Sequence, residues 1–275
     1  YQPVPEAGST GTSHAFVTEL KFDATTLQYS SYLSGNGTDI ASGMTIDASG
    51  YMYVTGTTTS TDAASTTDQF PATTLPQKLP YQVTPRAAIQ FFVTKVNTAA
   101  QGASSIAYST YFGGATFDTP TPIAVGGGIA VDTNGNMYFT GTTNFIYTGA
   151  PGASNSDFPI LNPYQPCLDQ APPTTISNPP SCVYTSTTPP TESDAFVAKL
   201  NPNANQGEQL IWSTYVGGSG TDSGMGIGLD SGAANVYLVG TTNSIDIGKG
   251  TTTAVTSAPL QPCLDNLVDP TTKAC

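Results

Sequence analysis

At 275 residues, with 9% charged side chains and a formal net charge of -12, the chain can hold one large or two small domains and bury a real core. Its seven cations, Lys21, Lys78, Arg86, Lys95, Lys199, Lys249 and Lys273, are scattered, so neither a nucleic-acid backbone nor an anionic membrane surface meets a basic stripe. No apolar run is long enough to span a bilayer, and no basic, apolar leader opens the sequence at Tyr1; either a leader has been removed or the chain is part of something longer.

In chain order the predicted strands are AFVTEL (15–20), YSSYLSG (29–35), GMTID (43–47) and YMYVTGTT (51–58). The same four phrases return as FFVTKV (91–96), YSTYFGG (108–114), GIAVD (128–132) and NMYFTGTT (136–143). They return again as AFVAKL (195–200), WSTYVGG (212–218), GIGLD (226–230) and NVYLVGTT (235–242). Each phrase is β-branched and aromatic, and Gly, Asn, Asp or Ser bounds it, as in strands. DASG, DTNG and DSGAAN join the third phrase to the fourth as hairpin turns, and the one extra residue in the last copy predicts a wider turn there. Thr, Ser, Gly and Pro replace the usual helix formers, so no helix is expected.

Three copies of four short strands predict an all-β fold of four-stranded antiparallel propeller-type blades, three blade equivalents in a single domain over 1–275. The repeat cores are 15–58, 91–143 and 195–242. YSTYFGG, GIAVDTNGNMYFTGTT and DAFVAKLNP resemble the bacterial β-propeller repeat family called SBBP, and the third and fourth phrases are similar to NHL-type repeats. The resemblance implies a secreted or surface protein and supplies no catalytic residues. It also implies that the GIAVD strand is innermost and the YSTYFGG strand outermost. With the order named a, b, c, d, the chain reads c-d, a-b-c-d, a-b-c-d, a-b. It starts and ends in mid-blade, and three blades are too few to close a ring.

Long insertions separate b from c at 59–88 and 144–193, and 243–275 follows the last b strand. They are Pro/Thr-rich, and read either as surface loops or as arms that clasp a neighbouring subunit. The phrases YQPCLD (164–169) and LQPCLD (260–265) carry cysteines, and YQP also opens the chain. Local pairing, Cys167 with Cys182 and Cys263 with Cys275, is the economical arrangement, and the spacings fit neither zinc nor redox motifs. Disulfides imply an oxidising, extracellular or cell-surface location.

Chemistry-bearing residues are few. His14 is the one histidine and Arg86 the one arginine, and neither belongs to a catalytic constellation. Asp39, Asp118 and Asp222 precede strand a, and Asp47, Asp132 and Asp230 end it; calcium at these matched positions is a weak candidate beside plain turn capping. Tyr29, Tyr108 and Trp212 match across the copies, as do Tyr32, Tyr111 and Tyr215, as inter-blade packing or as sugar-stacking platforms. Asn36, in NGT, is a candidate glycosylation acceptor.

No cofactor and no catalytic residue is expected, so the leading expectation is not an enzyme. It is a secreted structural protein whose blades pair head-to-tail with other copies of itself in a filament or surface assembly. The runner-up is a non-catalytic propeller module binding glycans or a protein. A polysaccharide-acting propeller enzyme comes third, since it needs two facing carboxylates.

Overall fold

The computed structural model describes residues 3–4, 12–61, 79–115, 123–147, 157–168, 182, 192–245 and 247. Twelve strands follow in order: β1 (Ala15–Leu20), β2 (Leu27–Leu33), β3 (Asp39–Ile46), β4 (Met52–Thr58), β5 (Gln90–Val96), β6 (Ile106–Phe112), β7 (Ala124–Val131), β8 (Met137–Thr143), β9 (Asp194–Leu200), β10 (Leu210–Val216), β11 (Asp222–Leu229) and β12 (Val236–Thr242). A single 3-10 turn, Gly102–Ser105, accompanies them among the described residues.

The strands form two complete blades and two halves. β3-β4-β5-β6 and β7-β8-β9-β10 are four-stranded sheets, and β1-β2 and β11-β12 are pairs. Every pairing is antiparallel. The chain thus follows the c-d, a-b-c-d, a-b-c-d, a-b order that the phrases predict. Strand a runs further back than predicted, because a register shift between Ala41 and Gly43 lets β3 start at Asp39, and one between Gly224 and Gly226 lets β11 start at Asp222. Asp39 and Asp222 therefore open strand a rather than precede it.

The inner strands lie side by side as β3, β7 and β11, and small residues allow the approach. A Cβ on Gly127 would sit 2.4 Å from the carbonyl oxygen of Gly224, and Ser42 donates a hydrogen bond of 3.1 Å to the Gly127 carbonyl. Further out, Phe91, Phe112, Phe139, Phe158 and Phe196 fill the space between the two complete blades, the Phe91 and Phe196 rings 4.7 Å apart. A second cluster, with Val17, Leu33, Met52, Val54 and Phe92, fixes the β1-β2 pair on the first complete blade.

The turns follow their sequences. Asp47 Oδ1 accepts the Ser49 and Tyr51 N–H groups, and Gly50 supplies the left-handed φ of +83°. In the longer last turn Ala233 takes that conformation, at φ +50°. The described ends of the first two insertions lie along their own blades. Gln82 bridges to Tyr111 of β6, and Leu161 and Gln165 bridge to Ser213 and Tyr215 of β10. These contacts cover the outer edges of both complete blades, which otherwise would present unpaired backbone. In these segments the structure gives no arm reaching outward.

Candidate functional site

The joint between strands b and c is made twice within the chain. Thr55 of β4 faces Val93 of β5, and Thr140 of β8 faces Val197 of β9. Thr55 Oγ1 donates to the Phe92 carbonyl at 3.0 Å, and Thr140 Oγ1 to the Phe196 carbonyl at 2.6 Å. Lys95 stands 4.0 Å from Asp47 and 4.2 Å above the Tyr51 ring; Lys199 stands 3.8 Å from Asp132 and 4.8 Å above the Tyr138 ring. Burial pushes the Lys95 ammonium down from its ordinary value, and the Asp47 carboxylate partly restores it. Phe92 and Phe196 each lay a ring edge against a glycine of strand b: a Cβ on Gly56 would meet the Phe92 ring at 2.8 Å, and one on Gly141 would meet the Phe196 ring at 3.0 Å.

The third set of these parts is divided between β12 and β1, which do not pair with each other. Where β4 and β8 are buried along their whole length, β12 is mostly exposed, with Val239 at 66% and Tyr237 at 58%. On β1, Phe16 is 67% exposed, whereas its counterparts Phe92 and Phe196 are fully buried. Beside β1 lies an apolar groove of about 320 Å³, lined by Phe16, Val17, Met44, Met52 and Val54 among others. Beside β12 lies a smaller pocket of about 180 Å³, lined among others by Ala195, Val216, Leu238 and Gly240.

Among the described residues, the other predicted ones bond or pack within the fold. Cys167 and Cys182 are bonded, with Cα atoms 5.6 Å apart; Cys263 and Cys275 lie outside the described residues. Exposed Asn36 exchanges hydrogen bonds with Thr61, its Oδ1 accepting the Thr61 N–H at 2.8 Å. His14 Nδ1 stands 3.5 Å from Asp39 Oδ2, and Arg86 donates to the carbonyls of Gly113 and Asp157. Tyr111 and Tyr215 are fully buried and donate to the Ser60 and Phe145 carbonyls, while Trp212 packs on Tyr138 with ring centres 6.1 Å apart. Tyr108 is buried and donates to Gln209 Oε1. Tyr29 and Tyr32 sit half-buried on β2. In the complete blades Tyr108, Tyr111 and Tyr215 are buried in the packing, and Trp212 is partly exposed.

The aspartates do not gather. Asp39 and Asp47 bracket opposite ends of β3, as Asp222 and Asp230 bracket β11, and Asp118 lies outside the described residues. Among the described residues no three His, Cys, Asp or Glu side chains converge as a metal would need. Asp39 accepts from Gly35 N–H, Thr58 and Ser60, and burial pushes its carboxyl up despite these bonds. Asp230 accepts from Ala234 and Asn235 at its turn. Asp194 and Asp222 flank Gly217 but are buried, with Gln165 donating to one and Gly218 and Ser244 to the other.

Asp132 is the most fully engaged turn carboxylate. Burial pushes it up, but donors on Asn136, Asn134 and Tyr138 outweigh burial and hold it below its ordinary value. A carboxyl lowered in the folded state contributes stability that is present above its unfolded value of about 3.9 and lost as the pH falls through the folded value. Asp132→Ala is expected to cost about 3 kcal/mol at neutral pH, since it strands several donors, and the deficit should shrink as the pH falls below about 4. Urea titrations of both proteins across that range measure it; a pH-independent deficit would remove the carboxylate from the explanation.

Two glutamines that the repeated strand phrases do not single out hold the insertions in place. Gln82 and Gln165 each lock an insertion onto its blade: Gln82 bonds Gln90 and the Gly113 N–H, and Gln165 bonds Asp194 and the Gly217 N–H. The signal is the Tyr-Gln pair at 81–82 and 164–165, of which only the second lies in a cysteine-bearing phrase.

Compared with known families, residues 28–62 and 107–148 match the beta-propeller repeat SBBP. The first match spans β2 to β4 and the second β6 to β8, so each runs from an outer strand into the next blade's inner pair. The strands β10 to β12 repeat that order. No curated protein matches the chain.

Proposed function

We propose that this chain of SBBP-type propeller repeats is a structural protein that assembles head-to-tail outside the cell. The half-blade β11-β12 of one copy completes the half-blade β1-β2 of the next. The supporting observation is the pair of open edges: among the described residues no c strand pairs with β12 as one does with β4 and β8, and no b strand pairs with β1 as one does with β5 and β9. Unpaired edges with exposed apolar side chains are ready templates for strand addition. The contact is heterologous, so repetition gives a ring if the rotation closes and a filament if it does not.

Other features favour the same reading. Asp194 and Asp222 at Gly217 are buried and accept hydrogen bonds from Gln165, Gly218 and Ser244, which fits a structural role better than glycosidic chemistry. The Cys167–Cys182 disulfide suits an oxidising compartment. Sedimentation velocity over a hundredfold range of concentration tests the proposal. Species of many subunits that grow with concentration are expected; one monomeric boundary throughout would defeat it.

A further inference from the structure

We infer that the joint between copies is a two-way lock. Tyr237 and Val239 of one copy seat in the groove beside β1 of the next, while Phe16 of that next copy seats in the pocket beside Gly240. The partner is a second copy of this chain, and the inference rests on the head-to-tail reading above.

The chain itself supplies the template. Strand b pairs with strand c in the same register in both complete blades: Met52 with Val96 through Thr58 with Gln90, and Met137 with Leu200 through Thr143 with Asp194. Carried onto β12 and β1, that register sets Val236 opposite Leu20, Val239 opposite Val17 and Gly240 opposite Phe16. Successive strand residues point to opposite faces. Val17, Met52 and Val54 already share one cluster, and the groove they line opens beside β1, where a b strand in this register places Tyr237 and Val239.

Phe16 stands at the rim of that groove and, alternating with Val17, is exposed on the opposite face of β1. Its counterpart Phe196 lies on Gly141 among the rings of Phe91 and Phe112 of the preceding blade. The cognate positions around Gly240 are Ala195 and Val216. They are smaller, and the pocket lies there, lined by Ala195, Val216, Leu238 and Gly240. An exposed phenylalanine on one end and an apolar pocket on the other are therefore the two halves of a contact that the chain already makes inside itself.

One position departs from the template. Glu19 stands where Lys95 and Lys199 stand, so the joint sets Glu19 near Asp230 and Tyr237 in place of the lysine-aspartate pair. From its own copy Glu19 faces Tyr29, with Lys21 two residues on. The lysine is absent only at this joint, which makes the contact weaker than those inside the blades.

Paired cysteines test the register on the full chain. Val17→Cys with Val239→Cys is expected to give a ladder of covalent oligomers on oxidation, absent from each single variant. Glu19→Cys with Val239→Cys, two residues out of register, should cross-link at least tenfold less. Phe16→Ala should raise the concentration at which oligomers form at least tenfold, with an unchanged melting transition of the monomer. Oligomers that cross-link at the Glu19 pair and not at the Val17 pair would overturn the register while leaving assembly standing. A monomer at every concentration would overturn both.

Discussion

Val239→Lys is expected to leave the isolated subunit folded and to abolish assembly. In the single chain Val239 is 66% exposed, so a lysine there keeps its ammonium in water. In the completed blade the position corresponds to Thr55 and Thr140, both fully buried. A lysine there would carry its ammonium into an apolar groove and desolvate it, at an effective cost of several kcal/mol that a diagonal contact with Glu19 would offset only in part. Each 1.4 kcal/mol is tenfold in affinity, so association should weaken by more than about a hundredfold. The readouts are the melting temperature, which should hold, and the sedimenting mass, which should collapse to one subunit. Persistence of large particles would show that β12 is not at the contact.

Phe196→Ala should act on the fold instead. Phe196 is fully buried and its ring lies 4.7 Å from Phe91, 5.1 Å from Phe158 and 5.8 Å from both Phe112 and Phe139. Those rings come from both complete blades and from an insertion, so truncation opens a cavity at the centre of the molecule. A buried Phe→Ala change costs about 3–5 kcal/mol. Urea unfolding should lose about 4 kcal/mol relative to the parent protein. A loss below about 1 kcal/mol would mean that the two blades do not depend on this cluster for their packing.

Much of this architecture was readable because repetition amplifies a weak signal. A single phrase such as GIAVD is ambiguous between a strand and a buried loop, but three copies in fixed order leave few alternatives. The limits of strand a were not readable. DIASG and DSGMG are rich in residues that disfavour strands, and only the register shifts after Ala41 and Gly224 let them join the sheet. The aspartates were legible as turn residues, since Asp47, Asp132 and Asp230 bond the backbone that follows them.

The covering of the outer edges was half visible. The phrase around Gln165 stood out for its cysteine, but that its glutamine bonds Asp194 and the Gly217 N–H depends on residues far along the chain. The pocket at Gly240 was invisible for a similar reason. Ala195, Val216 and Leu238 come from three strands, and nothing in their spacing shows that together they leave room for a ring. Phe16 reads as an ordinary core residue of AFVTEL, and only its exposure marks it as a projecting contact.

Whether the open half-blades are polymerisation edges is decided by electron microscopy of the unreduced 275-residue chain in negative stain. Regular fibres or closed rings built from a repeating subunit are expected, and they should be lost in Val239→Lys. Discrete single-subunit particles at every concentration would contradict this expectation and make the blades a module that binds something other than itself.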